Sequence, residues 1–411
     1  MDKKLLIIGF VWPEPNSSAA GSRMMQLIAL FQQEDYDITF ASACAKTENA
    51  TNLKALKIAT ETIALNHSSF DDFVKDLQPD VVIFDRFMTE EQFGWRVAEH
   101  CPNALRILDT EDLHCLRKGR EEAFKCNDLF ETKHLFNDVA KREIASILRS
   151  DLSLIISEAE MDILTQVFKI DHSLLYYLPF LLDAISEDTI STLPKFDERH
   201  HFITIGNFLH PPNYQSVLYL KQYVWPKIRQ QLPKAELHVY GAYTSQKVNQ
   251  LHQDKEGFFI KGYAEDVAKV MQKARVCLAP LQFGAGLKGK LVDAMQNGTP
   301  CVMSSIAAEG MFGPLDTNGF IVDDIKEFVT SAVDLYTNAS IWKAFQDNGF
   351  KVINSRFQRT NFQDDFMQLI QDLRSILDLH RQGNFMGQLL QHHSLQSTKY
   401  MSKWIEEKNK S

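Results

Sequence analysis

Two lysines, Lys288 and Lys290, follow a glycine-rich stretch in the second half of the chain. Gly284 and Gly286 precede them, and an apolar run over 276–281 comes before the glycines. A glycine-rich turn lets the backbone approach a ligand closely, and a helix that starts after it presents free N–H groups. With two cations at the same place, the pattern predicts a binding site for an anion such as a phosphate. The alternative is a surface turn whose lysines are solvated.

Asp293 adds a carboxylate to this stretch, three residues after Lys290. Residues at this spacing share one face of a helix. A cation and a carboxylate placed in this way could hold a diphosphate and a ribose hydroxyl of the same nucleotide. The alternative is an ordinary ion pair on the helix surface.

The loop after the first apolar run, 5–10, consists of small residues and turn formers and leads into a predicted helix with Gly21 and Arg23 near its start. Ligands enter open α/β sheets at the C-terminal ends of such strands. Gly21 and Arg23 are therefore predicted to face a bound substrate. A plain helix entry with an exposed arginine is the alternative.

A polar cluster follows the predicted strand 105–108, where Asp109, Asp112 and His114 occur within six residues. These side chains are candidates for contacts to a substrate sugar. They are equally compatible with a helix N-cap and one incidental histidine.

Two more polar residues stand at the ends of predicted strands in the second half. Two prolines set a turn before Asn213, which is predicted to be the N-cap of the next helix. Glu309 follows a predicted strand at 301–304 and places a carboxylate in another strand-end loop.

Short apolar runs alternate with segments of helical period along the whole chain, which predicts parallel sheets with helices on both faces. The expected fold class is α/β, with two tandem Rossmann-like domains, a cleft between them and a helical C-terminal tail. We expect a first domain at 1–182, a linker at 183–200, a second domain at 201–355, and C-terminal helices with a tail at 356–411.

The composition is that of a globular protein of two domains, with 411 residues, 45% hydrophobic and 24% charged. A formal net charge of −9 argues against a nucleic-acid partner. The six cysteines have no C-x-x-C spacing and are expected to be reduced, as in a cytosolic protein. No metal site is expected, because no metal-ligand spacing occurs and the adjacent His392 and His393 diverge on a helix.

The N-terminal residues do not follow the pattern of a signal peptide, and no window has the apolar length of a transmembrane helix. We therefore expect a cytoplasmic protein that is free to touch a membrane peripherally.

In their order, these motifs resemble the group-one glycosyltransferases of the GT-B fold, a retaining family that uses nucleotide-sugar donors. The resemblance covers roughly residues 201–312 and extends more weakly to the first domain. It is carried by 284–302, by the Pro-Pro-Asn turn in 207–213, by Gly262-Tyr263, by 307–310, and in the first domain by 18–23 and 109–117.

The resemblance implies a donor site in the second domain, an acceptor site in the first and transfer in the cleft between them. Lys288 and Lys290 would be catalytic, because they would stabilise the departing diphosphate, and Asp293 falls on the family's ribose-binding carboxylate. The expected donor-binding residues are Gly21, Arg23, Asn213, Gly284, Gly286, Asp293 and Glu309. The expected acceptor-binding residues are Asp112 and His114.

Because the lysines and oriented amides would stabilise the departing diphosphate, no divalent metal is required, and we expect metal-independent transfer with retention. No cofactor is expected beyond the nucleotide-sugar donor substrate. A glycan or lipid-linked acceptor and a role in surface polysaccharide biosynthesis are expected by analogy with the family. The sequence departs from the family's pattern at two places. The first of the family's two glutamates falls on Ala285 and the second on Asp293, and the segment 207–213 replaces an arginine and a lysine.

Two alternatives remain at the level of sequence. The spacing of Gly284, Gly286 and Gly289, with Glu309 further on, satisfies the dinucleotide fingerprint of an NAD-dependent enzyme. That fingerprint belongs at the first strand of its domain, whereas three predicted strands of the second domain precede it here. A GT-B-like partner subunit without turnover is the other alternative, favoured by Ala285 and by the missing arginine.

Overall fold

The structure is a computed structural model that describes residues 3–410, apart from the side chains of residues 394 and 395. Two parallel sheets organise the chain. The strands of the first sheet are β1 (Lys3–Gly9), β2 (Tyr36–Ser42), β3 (Ala59–Thr62), β4 (Val81–Asp85), β5 (Leu105–Asp109), β6 (Leu152–Ile155) and β7 (Leu175–Tyr177). Those of the second are β8 (His200–Ile205), β9 (Leu237–Tyr240), β10 (Phe258–Gly262), β11 (Ala274–Ala279), β12 (Cys301–Met303) and β13 (Gly319–Ile321).

Helices cover both faces of each sheet. They are α1 (Ala19–Gln33), α2 (Ser69–Leu77), α3 (Phe87–His100), α4 (His114–Cys126), α5 (Asp138–Arg149), α6 (Glu158–Asp162), α7 (Glu187–Thr192), α8 (Pro211–Tyr219), α9 (Trp225–Gln231), α10 (Gln246–Asn249), α11 (Val267–Lys273), α12 (Gly289–Gln296), α13 (Ser305–Ala308), α14 (Ile325–Thr337), α15 (Ala339–Val352), α16 (Gln363–Ser375), α17 (Leu377–Gly383) and α18 (Phe385–Lys410).

The first sheet has the strand order β3-β2-β1-β4-β5-β6-β7, and all its pairs are parallel. Its central strands are continuous apolar runs because both faces are covered by helices. In β1, Ile7 is fully buried and lies between Phe40 of β2 and Ile83 of β4. The expected α/β fold with a helical C-terminal tail is confirmed.

The second sheet has the order β10-β9-β8-β11-β12-β13, again with parallel pairs. In each sheet the strand order reverses beside the first strand, between β1 and β4 and between β8 and β11. Ligands of open α/β sheets bind at such points, outside the carboxyl ends of the strands. The loop after β1 and the glycine-rich turn after β11 both open at these points, so the topology directs both loops to one crevice.

The chain crosses between the domains at two adjacent places, near Leu182 and near Gln358. Leu182 donates its N–H to Phe357 O at 2.7 Å, and Arg359 donates to Leu182 O at 2.8 Å. After this second crossing the chain returns to the first domain, where Phe366 of α16 is fully buried in the same core as β1. The segment 356–411, expected as C-terminal helices and tail, is thus part of the first domain's packing.

Within the described residues, none of the helices combines the length and the apolar character that crossing a bilayer requires. The segment 183–200, expected as a linker, contains the short helix α7 and the first residue of β8.

Candidate active site

Lys288 and Lys290 lie at the junction of the glycine-rich turn and α12. The predicted order of strand, turn and helix is confirmed, with α12 starting at Gly289 and Lys288 as its N-cap residue. Both lysines are buried, 7% and 8% exposed, so they are not solvated side chains of a surface turn. Burial lowers the pKa of each to about 8.

The two ammonium groups have different surroundings. Lys288 Nζ donates to Ala285 O at 2.9 Å and to Gly286 O at 2.5 Å, so it braces the turn from inside. Lys290 Nζ makes neither a hydrogen bond nor an ion pair with any described residue, although its side chain is only 8% exposed. A buried cation without a protein partner is costly to keep, and a bound anion would compensate it.

Asp293 lies on the same helix as Lys290, as predicted, but the two form no ion pair within the described residues. Burial raises the pKa of Asp293 to about 7. The alternative of an ordinary surface ion pair is therefore wrong. A carboxylate and a cation stand near each other without bonding, and both are free to bind a ligand.

Gly286 and Gly289 lie against residues of the first domain. Gly286 has φ +63°, and a Cβ on it would lie 2.8 Å from Asp112 Cβ. A Cβ on Gly289 would lie 2.6 Å from Ala19 Cβ. These two positions need glycine because two domains approach closely there, which is a different reason from the close approach of a ligand.

Glu160 joins the glycine-rich turn to the first domain. Its Oε1 accepts hydrogen bonds from Gly286 N at 2.8 Å and from Leu113 N at 2.9 Å. Burial raises the pKa of Glu160 to about 8. No local motif marks this residue, so the sequence alone did not identify it.

Arg120 of α4 makes a second connection between the domains. It donates to Gly284 O at 2.8 Å and to both carboxylate oxygens of Glu309, at 2.6 and 2.8 Å. Although burial raises it, the pKa of Glu309 stays below its usual value because Arg120 donates to the carboxylate. Glu309, expected to bind the donor, is thus engaged by a protein cation. Arg120 was missed because its position in α4 follows no pattern.

Asp112 and His114 lie on the first-domain side of the same crevice. Asp112 is paired with Arg117 and lies 3.3 Å from His114 Nε2. Burial raises the pKa of Asp112, but the charge of Arg117 outweighs it and holds the pKa well below its usual value. Burial lowers the pKa of His114 to about 3, so this imidazole is neutral at physiological pH.

The alternative that this cluster forms an N-cap is wrong. Helix α4 follows Leu113, whose side chain caps nothing. The N–H groups of His114 and Cys115 are instead each accepted by Glu143 of α5, at 2.9 Å. Capping from a distant helix leaves Asp112 and His114 available to a substrate.

His210 brings a further side chain from the second domain, in the loop between β8 and α8. Burial, together with the charges of Arg117, Lys290 and Lys288, lowers its pKa to about 4. It is therefore close to groups of both domains. The sequence indicated the loop but not this side chain.

The predicted N-cap at Asn213 is wrong, because α8 begins at Pro211 and its N-cap residue is His210. The prolines set the helix start three residues earlier than expected. Asn213 Nδ2 donates to Asn207 O at 3.0 Å, so the side chain supports the loop that carries His210.

Arg23 is neither exposed nor directed at a ligand, so both interpretations of it are wrong. It is 1% exposed, and its guanidinium bonds to Asp109 Oδ1 at 3.0 Å and to the carbonyls of Leu178 and Pro179 at 2.6 and 3.0 Å. The N–H groups of its guanidinium thus join the end of β5 to the segment that follows β7. A substrate could reach none of them without breaking these bonds.

Gly21 also has a role in folding. A Cβ on it would lie 2.4 Å from Glu14 O, inside the backbone of the loop after β1. The loop packs on Gly21, and Gly21 does not face the crevice as predicted.

The described residues contain no group of three or more His, Cys, Asp or Glu side chains arranged to hold a metal ion.

A family model matches the second domain. Residues 199–338 match the model described as "Glycosyl transferases group 1". Comparison with curated protein sequences finds no match.

Solved structures match across both domains. Sucrose-phosphate synthase from Thermosynechococcus elongatus has 14% identity and a TM-score of 0.66, over 91% of this chain and 99% of that one. Anabaena HepE in complex with UDP and glucose has 13% identity and a TM-score of 0.65, over 90% and 99%. A mutant of S. aureus TarM in complex with Fondaparinux, alpha-GlcNAc-glycerol and UDP has 15% identity and a TM-score of 0.56, over 73% of this chain.

The chain spans 58% of the length of that TarM structure, and it matches the other two over nearly their full length. At these identities the structural matches show the fold, which is GT-B. The family model rests on the domain that holds the glycine-rich turn, Lys290 and Asp293. Residues 199–338 therefore match the group 1 glycosyltransferases, and the chain as a whole has the GT-B fold.

Proposed function

We propose that the chain transfers a sugar from a nucleotide-diphosphate sugar to a glycan or lipid-linked acceptor, with retention of anomeric configuration and without a metal ion. One observation carries this proposal. The side chain of Lys290 is only 8% exposed, and its ammonium has no partner among the described residues, one helical turn from the unpaired carboxylate of Asp293. Together they match a diphosphate and a ribose hydroxyl.

In this proposal Lys290 neutralises the charge that develops on the diphosphate as the glycosidic bond breaks. Oriented groups of this kind in a dry cleft contribute several kcal/mol to transition-state stabilisation. Lys288 acts indirectly, because its hydrogen bonds to Ala285 O and Gly286 O fix the turn that precedes Lys290. In this proposal lysine side chains neutralise the diphosphate, which is the role that a divalent metal would otherwise have.

The acceptor is proposed to bind on the first-domain side, near Asp112 and His114. Asp112 is ionised and His114 is neutral, so they offer an acceptor and a hydrogen-bonding imidazole to sugar hydroxyls. Retention and a role in surface polysaccharide biosynthesis are proposed from the resemblance of 284–302 to the family. UDP is the proposed nucleotide, because the HepE and TarM structures contain it.

Calorimetric titration of the full chain with UDP, GDP and NAD, in EDTA, tests the proposal. We expect a nucleoside diphosphate to bind in EDTA, and NAD not to bind. Transfer is then measured with the matching nucleotide-sugars, and NMR of the product reports its anomeric configuration. Binding of NAD without binding of UDP or GDP would overturn the proposed donor site. Binding of a diphosphate without transfer or donor hydrolysis would favour a partner subunit without turnover.

A further inference from the structure

Helix α18 is bound to the first domain through polar side chains. Arg96 Nη2 of α3 donates to Ser402 Oγ at 3.0 Å. Ser68 donates to Glu406 Oε1 through its N–H at 3.1 Å and through its hydroxyl at 2.6 Å. A helix on the surface of a globular protein usually packs an apolar stripe on the core and turns its polar side chains to solvent.

Most of the large apolar side chains described on α18 point away from the domain, whereas Leu390 and Ile405 are half-buried. Five of them are between 56% and 68% exposed: Phe385, Met386, Tyr400, Met401 and Trp404. Apolar side chains gathered on one exposed face mark a surface that binds another molecule or a membrane.

The exposed residues follow the period of a single helix face. Met386, His393 and Tyr400 are each seven residues apart, and Trp404 and Lys408 follow at intervals of four. The helix has 26 residues, which makes it about 39 Å long at a rise of about 1.5 Å per residue. We call the outward side, with Phe385, Met386, Tyr400, Met401, Lys403, Trp404 and Lys408, the α18 face.

The charges on the α18 face select one kind of partner. Lys403 and Lys408 flank Trp404, and Lys408 Nζ lies 5.2 Å from the centre of a Trp404 ring. The same side carries one carboxylate, Glu407, which pairs with Lys410 at 2.8 Å, so lysines are in excess there. Basic residues beside aromatic and apolar ones on a helix fit an anionic lipid surface, where the rings enter the headgroup layer and the ammonium groups meet phosphates. A second copy would bring the same lysines together, which like-charge repulsion disfavours.

We propose that the α18 face docks the protein on a membrane that contains anionic lipid, with α18 lying flat on the surface. Docking does not depend on sugar transfer, because none of these residues belongs to the candidate active site. The proposed partner is thus a negatively charged lipid surface. The protein as a whole has a formal net charge of −9, so the attraction would come from the lysines of the α18 face alone.

The tryptophans make the test specific. Trp12, Trp95, Trp225 and Trp342 are buried, whereas Trp404 is 59% exposed. The full chain is mixed with vesicles of phosphatidylcholine containing phosphatidylglycerol, with and without brominated acyl chains. We expect co-sedimentation with the vesicles, a blue shift of the emission and quenching by bromine, and we expect none of these with pure phosphatidylcholine. In Trp404→Phe the protein should still bind while the blue shift disappears.

Two variants separate the contributions. Replacing Tyr400, Met401 and Trp404 by serine should abolish sedimentation. Lys403→Gln with Lys408→Gln should weaken the vesicle partition coefficient by about 25-fold, about fivefold per lysine. Tyr223→Ser removes a comparably exposed aromatic side chain from the second domain and should leave binding unchanged.

All these side chains are exposed, so the variants should fold with the melting temperature of the wild type. Wild-type protein that stays in the supernatant with unchanged emission would overturn the proposal. A concentration-dependent dimer that the triple serine variant disrupts would also overturn it, because a second copy would then cover the α18 face.

Discussion

Arg120 of the first domain donates two hydrogen bonds to Glu309 of the second, at 2.6 and 2.8 Å, and a third to Gly284 O at 2.8 Å. One side chain therefore binds both the glycine-rich turn and the strand-end loop that follows β12. The bidentate geometry fixes the orientation of the guanidinium as well as its distance. Together with the bond from Gly286 N to Glu160, this contact joins the two domains at the cleft.

Arg120→Ala should lower kcat/KM for the donor by about 10- to 100-fold, because it leaves Glu309 partly buried without its cation. Steady-state kinetics with varied donor measure this. Arg142→Ala is the matched control, since Arg142 pairs with Glu91 at the surface of the first domain and should contribute little. Exchanging the charges in Arg120→Glu with Glu309→Arg should restore part of the activity. Equal kinetics for Arg120→Ala and wild type would exclude the contact from catalysis.

Lys290→Met and Lys288→Met should have opposite effects on stability. Lys290 lacks a protein partner, so methionine should leave the melting temperature unchanged or raise it while kcat falls about 100-fold or more. Lys288 satisfies two carbonyl groups, so its replacement should destabilise the protein by about 1–3 kcal/mol and also reduce activity. Differential scanning fluorimetry and transfer assays distinguish the two. If Lys290→Met transferred sugar at the wild-type rate, Lys290 would not bind the diphosphate.

Nucleotide affinity should be greatest between about pH 7 and pH 8. Burial raises the pKa of Asp293 to about 7, so below that pH the carboxyl gains a proton and no longer accepts from a ribose hydroxyl as a carboxylate. Burial lowers the pKa of Lys290 to about 8, so above that pH the ammonium loses its charge. His114 and His210 are already neutral in this range because burial lowers their pKa values to about 3 and 4.

Calorimetric titrations with UDP from pH 5.5 to pH 9.5 measure this dependence. In Asp293→Asn the acid limb should disappear and the alkaline limb should remain. An affinity that is constant across this range in the wild type would show that neither group contacts the nucleotide.

Arg23→Met should destabilise the fold without a specific effect on donor binding. The substitution leaves Asp109 buried without its cation and removes the donor to two carbonyl groups, a loss of about 3–5 kcal/mol. Chemical denaturation measures the free energy of unfolding, and KM for the donor is measured on the folded protein at low temperature. An unchanged free energy of unfolding together with a raised KM would contradict the structural role assigned to Arg23.

The sequence determined the features that depend on neighbours along the chain. Apolar runs followed by glycine, proline or polar residues specify strands that end in loops, so the two sheets and the helix after Gly286 could be predicted. The spacing of Lys290 and Asp293 on that helix follows from its period. Resemblance to a family then indicated the chemistry of the turn.

Only the tertiary structure decided which residues meet across the cleft. Arg120 and Glu160 belong to segments without a motif, and in the loop of His210 the motif did not single out this side chain. All three become part of the site because two parallel sheets place their strand ends opposite each other. The same packing buries Arg23 against Asp109, which local sequence could not reveal. Burial, and with it the pKa of each charged group, depends on contacts between residues far apart in the chain, and these form only when both domains are folded and packed together.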